Sequence, residues 1–234
     1  MNKNSFFDFE DKIDFPFYKK SLNQKRDLLI LLSSTIIFTF LILGPIKFYK
    51  GQEQIILFLF TFLMLLLFTK GNLSTFLRKP TIDNIKLVII CFILYEFYYL
   101  GIYFLFGFIG FQTSPAQDIY LNNFNILIFL CYVLQVIAEE IFKILLFILI
   151  LHFVYKKTSN RKKSIILSSI IVMLVFGLLH INTFGNIIQI LFIQGLGSIF
   201  QLYGYLKTKN ILIPIFVHLL INCSSWIPLL LGIH

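Results

Sequence analysis

Apolar residues in this chain run in long blocks separated by short polar segments. Blocks of this length are counted as membrane-crossing helices. Seven are predicted, at about residues 28–48, 55–69, 87–111, 124–155, 165–182, 187–206 and 211–231. The second is short and is expected to extend into its flanks. The fourth is too long for a simple crossing. Its roughly 32 residues make a helix of about 48 Å against a hydrocarbon core of about 30 Å, so it must tilt, kink or project.

Composition agrees: 58% of the 234 residues are hydrophobic, 13% are charged, and mean hydropathy is +0.87. The expected fold is an all-α polytopic membrane helix bundle of about seven transmembrane helices with a cytoplasmic N-terminus. The orientation follows from Lys and Arg, which collect in cytoplasmic loops. Six precede the first span, four occupy the second loop, five the fourth and two the sixth, against two in the first loop and none in the third, fifth or C-terminal segments. The net charge of +9 is thereby spread over cytoplasmic segments, with no folded domain to shape it into a nucleic-acid groove. The lipid bilayer is the expected partner, and no nucleic acid is.

Three segments are expected: a cytoplasmic or interfacial leader at 1–27, three transmembrane helices over 28–119, and a core of helices over 120–234. The leader's "FFDFEDKIDFPFYKK" mixes aromatics with both charge signs and reads as interfacial. With that charged leader ahead of it and no small-x-small site after it, the first span is expected to remain as an anchor. Cys91, Cys131 and Cys223 fall in spans without C-x-x-C spacing and read as small apolar packing residues. The richness in Phe, Ile, Leu, Lys and Asn points to an AT-rich genome, hence to the cytoplasmic membrane of a low-GC bacterium.

Ionisable groups inside a membrane helix cost about 2.5–3.5 kcal/mol each on insertion scales, and they normally mark function. Here they are Glu96, Glu139, Glu140, Lys143, His180 and His218, with Asn222 as a polar companion. Glu139 and Lys143 have the spacing and order of a helical ion pair. Glu140, about 100° further round, needs another partner. Phe176 and His180 share one helix face, as do His218 and Asn222. Two imidazoles and a carboxylate are the parts needed to ligate a divalent metal such as zinc or to activate water directly, and Asn222 would orient His218 or stabilise an oxyanion. Hydrolysis is the natural reaction class. There is no H-E-x-x-H or G-x-S-x-G, and the aspartates fall in loops or at a span edge, so three common intramembrane or metalloprotease schemes lack their residues. Glu96 has three open readings: lining the cavity, pairing with Lys143, or packing as a protonated acid. Counted from the cytoplasmic ends of the spans, Glu139 and His180 lie some 22–24 Å deep but His218 only about 10 Å. A real site must remove that mismatch.

"EEIFKI", "FGLLH" and "HLLIN", in that order on apolar helices, resemble the CPBP intramembrane proteases, which include CAAX prenyl endopeptidases, bacteriocin-processing proteins and an abortive-infection group. The resemblance covers about residues 120–230. It implies that Glu139 activates water with Glu140 in support, and that His180 and His218 bind water or a metal. It further implies an oxyanion or orienting role for Asn222 and packing by Phe176 beside His180. The family's first motif carries Arg where this chain has Ile144, and the nearest cation is Lys143. The expected activity is endoproteolysis of a membrane-associated peptide, such as a bacteriocin leader or quorum-sensing precursor. The alternatives are a non-catalytic scaffold or immunity protein binding a sensor or toxin, and a small transporter relaying protons through Glu96, Glu139 and Lys143.

Overall fold

In a computed structural model of the chain, residues 14–15, 25–46, 48, 51–112, 125–184 and 186–230 are described. Seven helices stand where the apolar blocks predict them: α1 (Lys25–Leu43), α2 (Gln52–Thr69), α3 (Ile82–Phe108), α4 (Ile126–Thr158), α5 (Arg161–Leu178), α6 (Ile187–Thr208) and α7 (Leu212–Leu230). Among the described residues there is no strand. The chain is an all-α, multi-pass membrane bundle. Five of its helices are long and apolar enough to cross a bilayer, namely α1, α2, α3, α5 with its extension to Thr183, and α6. The other two have evident reasons to differ: α4 carries charges along its length and α7 has a shorter apolar run.

Helix ends follow local chemistry. Asn125, Asn160 and Asn186 accept backbone N–H bonds at the starts of α4, α5 and α6, and Thr81 does so for α3. The first span ends earlier than expected, at Leu43, because Gly44 and Pro45 follow and proline restricts the residue before it. Hydroxyls inside the spans return their hydrogen bonds to the preceding turn, as Thr61 does to the Leu57 carbonyl and Ser169 to that of Ile165. In hydrocarbon this keeps these two hydroxyls satisfied within their own helices, whereas the buried hydroxyls of Ser34 and Ser168 have no hydrogen-bond partner among the described residues.

The centre of the bundle is α4, whose residues from Ala138 to Leu149 are all buried against α1, α2, α5 and α7. By contrast α3 is mostly exposed along its length, as a lipid-facing helix should be, and packs on α6 and α7. The helix α6 is irregular. A π-helical turn spans Ile190–Gly195, followed by a 3₁₀ turn at Leu196–Ser198. There Gly195 meets Gly177 of α5 so closely that a Cβ on Gly177 would stand 2.9 Å from the Gly195 Cα. Two glycines thus let α5 and α6 touch backbone to backbone. The wide turn also changes the phase of the residues that follow it, among them Gln201.

One end of the bundle gathers the basic connections. The Arg78 guanidinium donates to the Lys209 carbonyl at 3.0 Å, and Asn210 bonds the Arg78 backbone through both ends of its amide, joining the α2–α3 and α6–α7 connections. Of the leader, Asp14 and Phe15 are described, and the rest of the interfacial reading lies outside the described residues. Phe15 packs into the bundle. It is buried against Phe147 and Tyr205, with Arg161 and Lys209 over its ring, while Asp14 pairs with Arg161 at 3.0 Å. Cys91, Cys131 and Cys223 are free thiols.

Asp14, Phe15 and the connections at 70–81, 159–160 and 209–211 therefore share one end. Given the positive-inside rule, alkaline phosphatase fused within any of them is expected to be inactive in cells, and fused after Gly51 to be active. Activity at both ends would disprove a fixed orientation.

Candidate active site

Four helices converge on the charged middle of α4. Glu140 is fully buried, and its Oε1 accepts from two donors: the Lys143 ammonium one turn on, at 2.5 Å, and Nδ1–H of His218 from α7, at 2.6 Å. Lys143, also buried, donates in addition to the Gln201 carbonyl oxygen on α6 and lies 4.2 Å from the Phe176 ring centre on α5. A single carboxylate and a single ammonium therefore tie α4 to α5, α6 and α7.

This corrects the expected ion pair. Lys143 pairs with Glu140 and not with Glu139, because Glu139 is engaged from the other side: Gln135 Nε2 donates to its Oε1 at 2.7 Å. Lys143 thus supplies the cation that the family's Arg would place one residue later. The bracing that the altered motif called into question is made by a different residue.

The second oxygen of Glu139 faces His218, whose Nε2 is 3.9 Å from it. His180 stands just beyond α5, and its Nδ1–H donates to the Phe176 carbonyl at 2.9 Å, since a carbonyl can only accept. That bond makes Nε2 the lone-pair nitrogen of the neutral ring. The Phe176 ring packs edge-on against His180 at 4.8 Å and His218 at 6.3 Å, so it separates and orients the imidazoles. The depth mismatch disappears because α4 and α5 overshoot: α4 runs to Thr158 and α5 starts at Arg161, leaving their basic ends beyond the level at which α7 begins.

Two expected members stand apart. Asn222 is half-buried and makes no side-chain hydrogen bond among the described residues; Glu140, not Asn222, orients His218. Glu96, on α3, is half-buried beside Tyr95, lines no part of the cavity described below and does not pair with Lys143.

Glu139 and His180 line a cavity of about 260 Å³. Its apolar wall is Phe38, Leu41, Ile42 and Ile46 from α1 and the turn after it, with Phe176 and Leu179. Its polar wall adds Glu53, Gln54, Gln135, Asn182 and Thr183. Glu53, Gln54, Gln135 and Gln201 were not among the expected site residues. Gln135 and Gln201 carried a detectable signal, an amide inside an apolar block, and Gln135 precedes Glu139 by one helical turn. Glu53 and Gln54 lie in the flank into which the block at 55–69 is expected to extend, where polar residues at a helix start are ordinary. Among the described residues no three His, Cys, Asp or Glu side chains are grouped to hold a metal ion. In each ring Nδ1 faces another partner, so Nε2 is the nitrogen through which His180 and His218 would bind a water or a metal.

Residues 121–224 match a family model described as type II CAAX prenyl endopeptidase Rce1-like. No curated protein and no solved structure matches the chain. The matched segment takes in the whole Glu139, Glu140, His180 and His218 group and leaves α1–α3 outside. Over that segment the chain is similar to the Rce1-like CAAX prenyl endopeptidases, in agreement with the CPBP resemblance.

The buried pair generates a stability prediction. Lys143→Met leaves the Glu140 charge uncompensated and is expected to cost about 3–5 kcal/mol, whereas Lys143→Met combined with Glu140→Gln recovers most of the loss. Thermal unfolding in detergent measures both. An unchanged midpoint for the single variant would show that the pair does not hold the helices together.

Proposed function

We propose that the chain is an intramembrane endopeptidase in which Glu139 activates water against a peptide bond of a membrane-associated peptide. The observation that carries this reading is the arrangement around Glu139: one oxygen held by Gln135, the other turned toward His218, on the wall of a cavity deep in an apolar bundle. A carboxylate in that position takes the proton of a water as its oxygen attacks the scissile carbonyl carbon. The Nε2 of His180 accepts from the same water and sets its direction. The proton then passes by way of His218 Nε2 to the departing amine, the C–N bond breaks, and a carboxylate and an amine leave.

His218 is suited to that relay. Its Nδ1–H is already donated to Glu140, so an imidazolium formed on protonation of Nε2 is stabilised by the carboxylate behind it. This is the orienting logic of acid–histidine pairs in hydrolases generally. Lys143 is bonded to the same Oε1 of Glu140 and fixes its position behind the ring. Asn222 would act on the oxyanion only once substrate draws α7 inward. A divalent metal, with His180 and His218 as its ligands, is the other form of the proposal, and chelation separates the two.

The cavity is lined by Gly44, Ile46, Glu53, Asn182 and Thr183, residues at the end of the bundle opposite the basic connections. With those connections cytoplasmic, substrate enters from the outer half of the bilayer of a low-GC bacterium. Leader or signal-peptide remnants of bacteriocins and secreted peptide signals are peptides that occur there.

Mass spectrometry of peptides from cells expressing each variant at matched membrane levels tests the reading. Glu139→Gln, His180→Ala and His218→Ala are each expected to lower one defined cleavage by about 10²–10⁴-fold. Retention of cleavage by purified protein after EDTA treatment would support the metal-free route, and loss restored by zinc the metal-bound one. Unchanged peptides together with a cellular phenotype that all three variants rescue would leave the non-catalytic scaffold.

A further inference from the structure

The wall of the cavity that lies outside the matched segment is made of α1 and the start of α2, and it presents an acid to the catalytic acid. Glu53 and Glu139 line the same cavity, whereas no lysine or arginine does among the described residues. Lys143 is turned away, held by Glu140 and Gln201. Glu53 has no hydrogen bond or ion pair with a described residue. Beside it Gln54 is 7% exposed, lines the cavity, and its Oε1 is buried without a hydrogen-bond partner. A buried, unpartnered amide oxygen beside a half-buried carboxylate is costly in an apolar bundle unless a donor arrives.

We infer that Glu53 and Gln54 form a substrate subsite for a cationic nitrogen, a lysine or arginine side chain or the free amino terminus of the peptide, held next to the bond that the Glu139-activated water attacks. The inference rests on the peptidase reading and names what its substrate must carry. Two carboxylates in a low-dielectric cavity repel each other, and a cation between or beside them relieves that repulsion while giving Gln54 its missing donor. The apolar remainder of the wall, from Phe38 to Ile46, accommodates hydrophobic residues on either side of the cation. Such a subsite also gives the helices outside the matched segment a role: the core helices supply hydrolysis and α2 supplies selection.

The probes are short apolar peptides, fluorescently labelled, with lysine, arginine, norleucine or glutamate at one scanned position and a free or acetylated amino terminus. Binding to the purified full chain in detergent is measured alongside cleavage, for wild type, Glu53→Gln, Gln54→Met and Glu53→Lys, each checked for folding by its unfolding midpoint. Wild type is expected to favour cationic over norleucine probes by about tenfold or more, Glu53→Gln to abolish that ratio, and Glu53→Lys to turn it toward glutamate. Loss of preference on acetylation alone assigns the cation to the peptide terminus, and preference that follows one scanned position assigns it to a side chain. No cationic preference in wild type, or the same ratio in Glu53→Gln, overturns the subsite even where cleavage persists. A preference in binding that depends on Glu53, without cleavage of any probe, upholds the subsite and overturns the peptidase.

Discussion

A carboxylate buried at the centre of a membrane bundle is tolerable only if its charge is met on the spot, and Glu140 is the group on which that constraint falls. Its Oε1 receives both Lys143 and His218, and Lys143 in turn reaches Gln201 and Phe176. Helices α4 to α7 are therefore joined by polar bonds as well as by a shared apolar core, and apolar contact alone gives little preference for one partner over another in lipid. Because the same bonds fix the His218 ring and its tautomer, the group that joins these helices also sets the geometry of the candidate site. Stability and chemistry cannot be altered separately here.

The seven helices and the Glu139, Glu140, His180 and His218 group were legible in the sequence for one reason: ionisable residues are so costly in apolar blocks that those present stand out. The choice between Glu139 and Glu140 as partner of Lys143 was not. Both lie within one helical turn of it, and the decision is made by Gln135 on one side and Gln201 on the other, the second of them brought into place after an irregular turn in α6. That turn is built of apolar residues and glycine and leaves no mark in a hydropathy pattern. Likewise the depth mismatch of His218 came from counting every span from the same level, which overshooting helices do not obey.

The cavity wall was the least legible part. Glu53 and Gln54 sit at a helix start, where polar residues are ordinary, and only the fold shows them lining the cavity that holds Glu139. Asn222 and Glu96 illustrate the converse, since a polar residue in an apolar block is notable in sequence whether or not the packed helices turn it toward the site. Residue type located the chemistry, and helix phase decided who takes part.

Phe15 places a condition on how this protein is made. The residue precedes by more than a hundred positions the rings it packs against, Phe147 and Tyr205, and the cations above it, Arg161 and Lys209, which are synthesised later. Its binding place is completed only when α6 has been delivered, so Phe15 docks after those helices have been made. A chain arrested before that point would hold its leader exposed to the machinery that surveys unfinished membrane proteins.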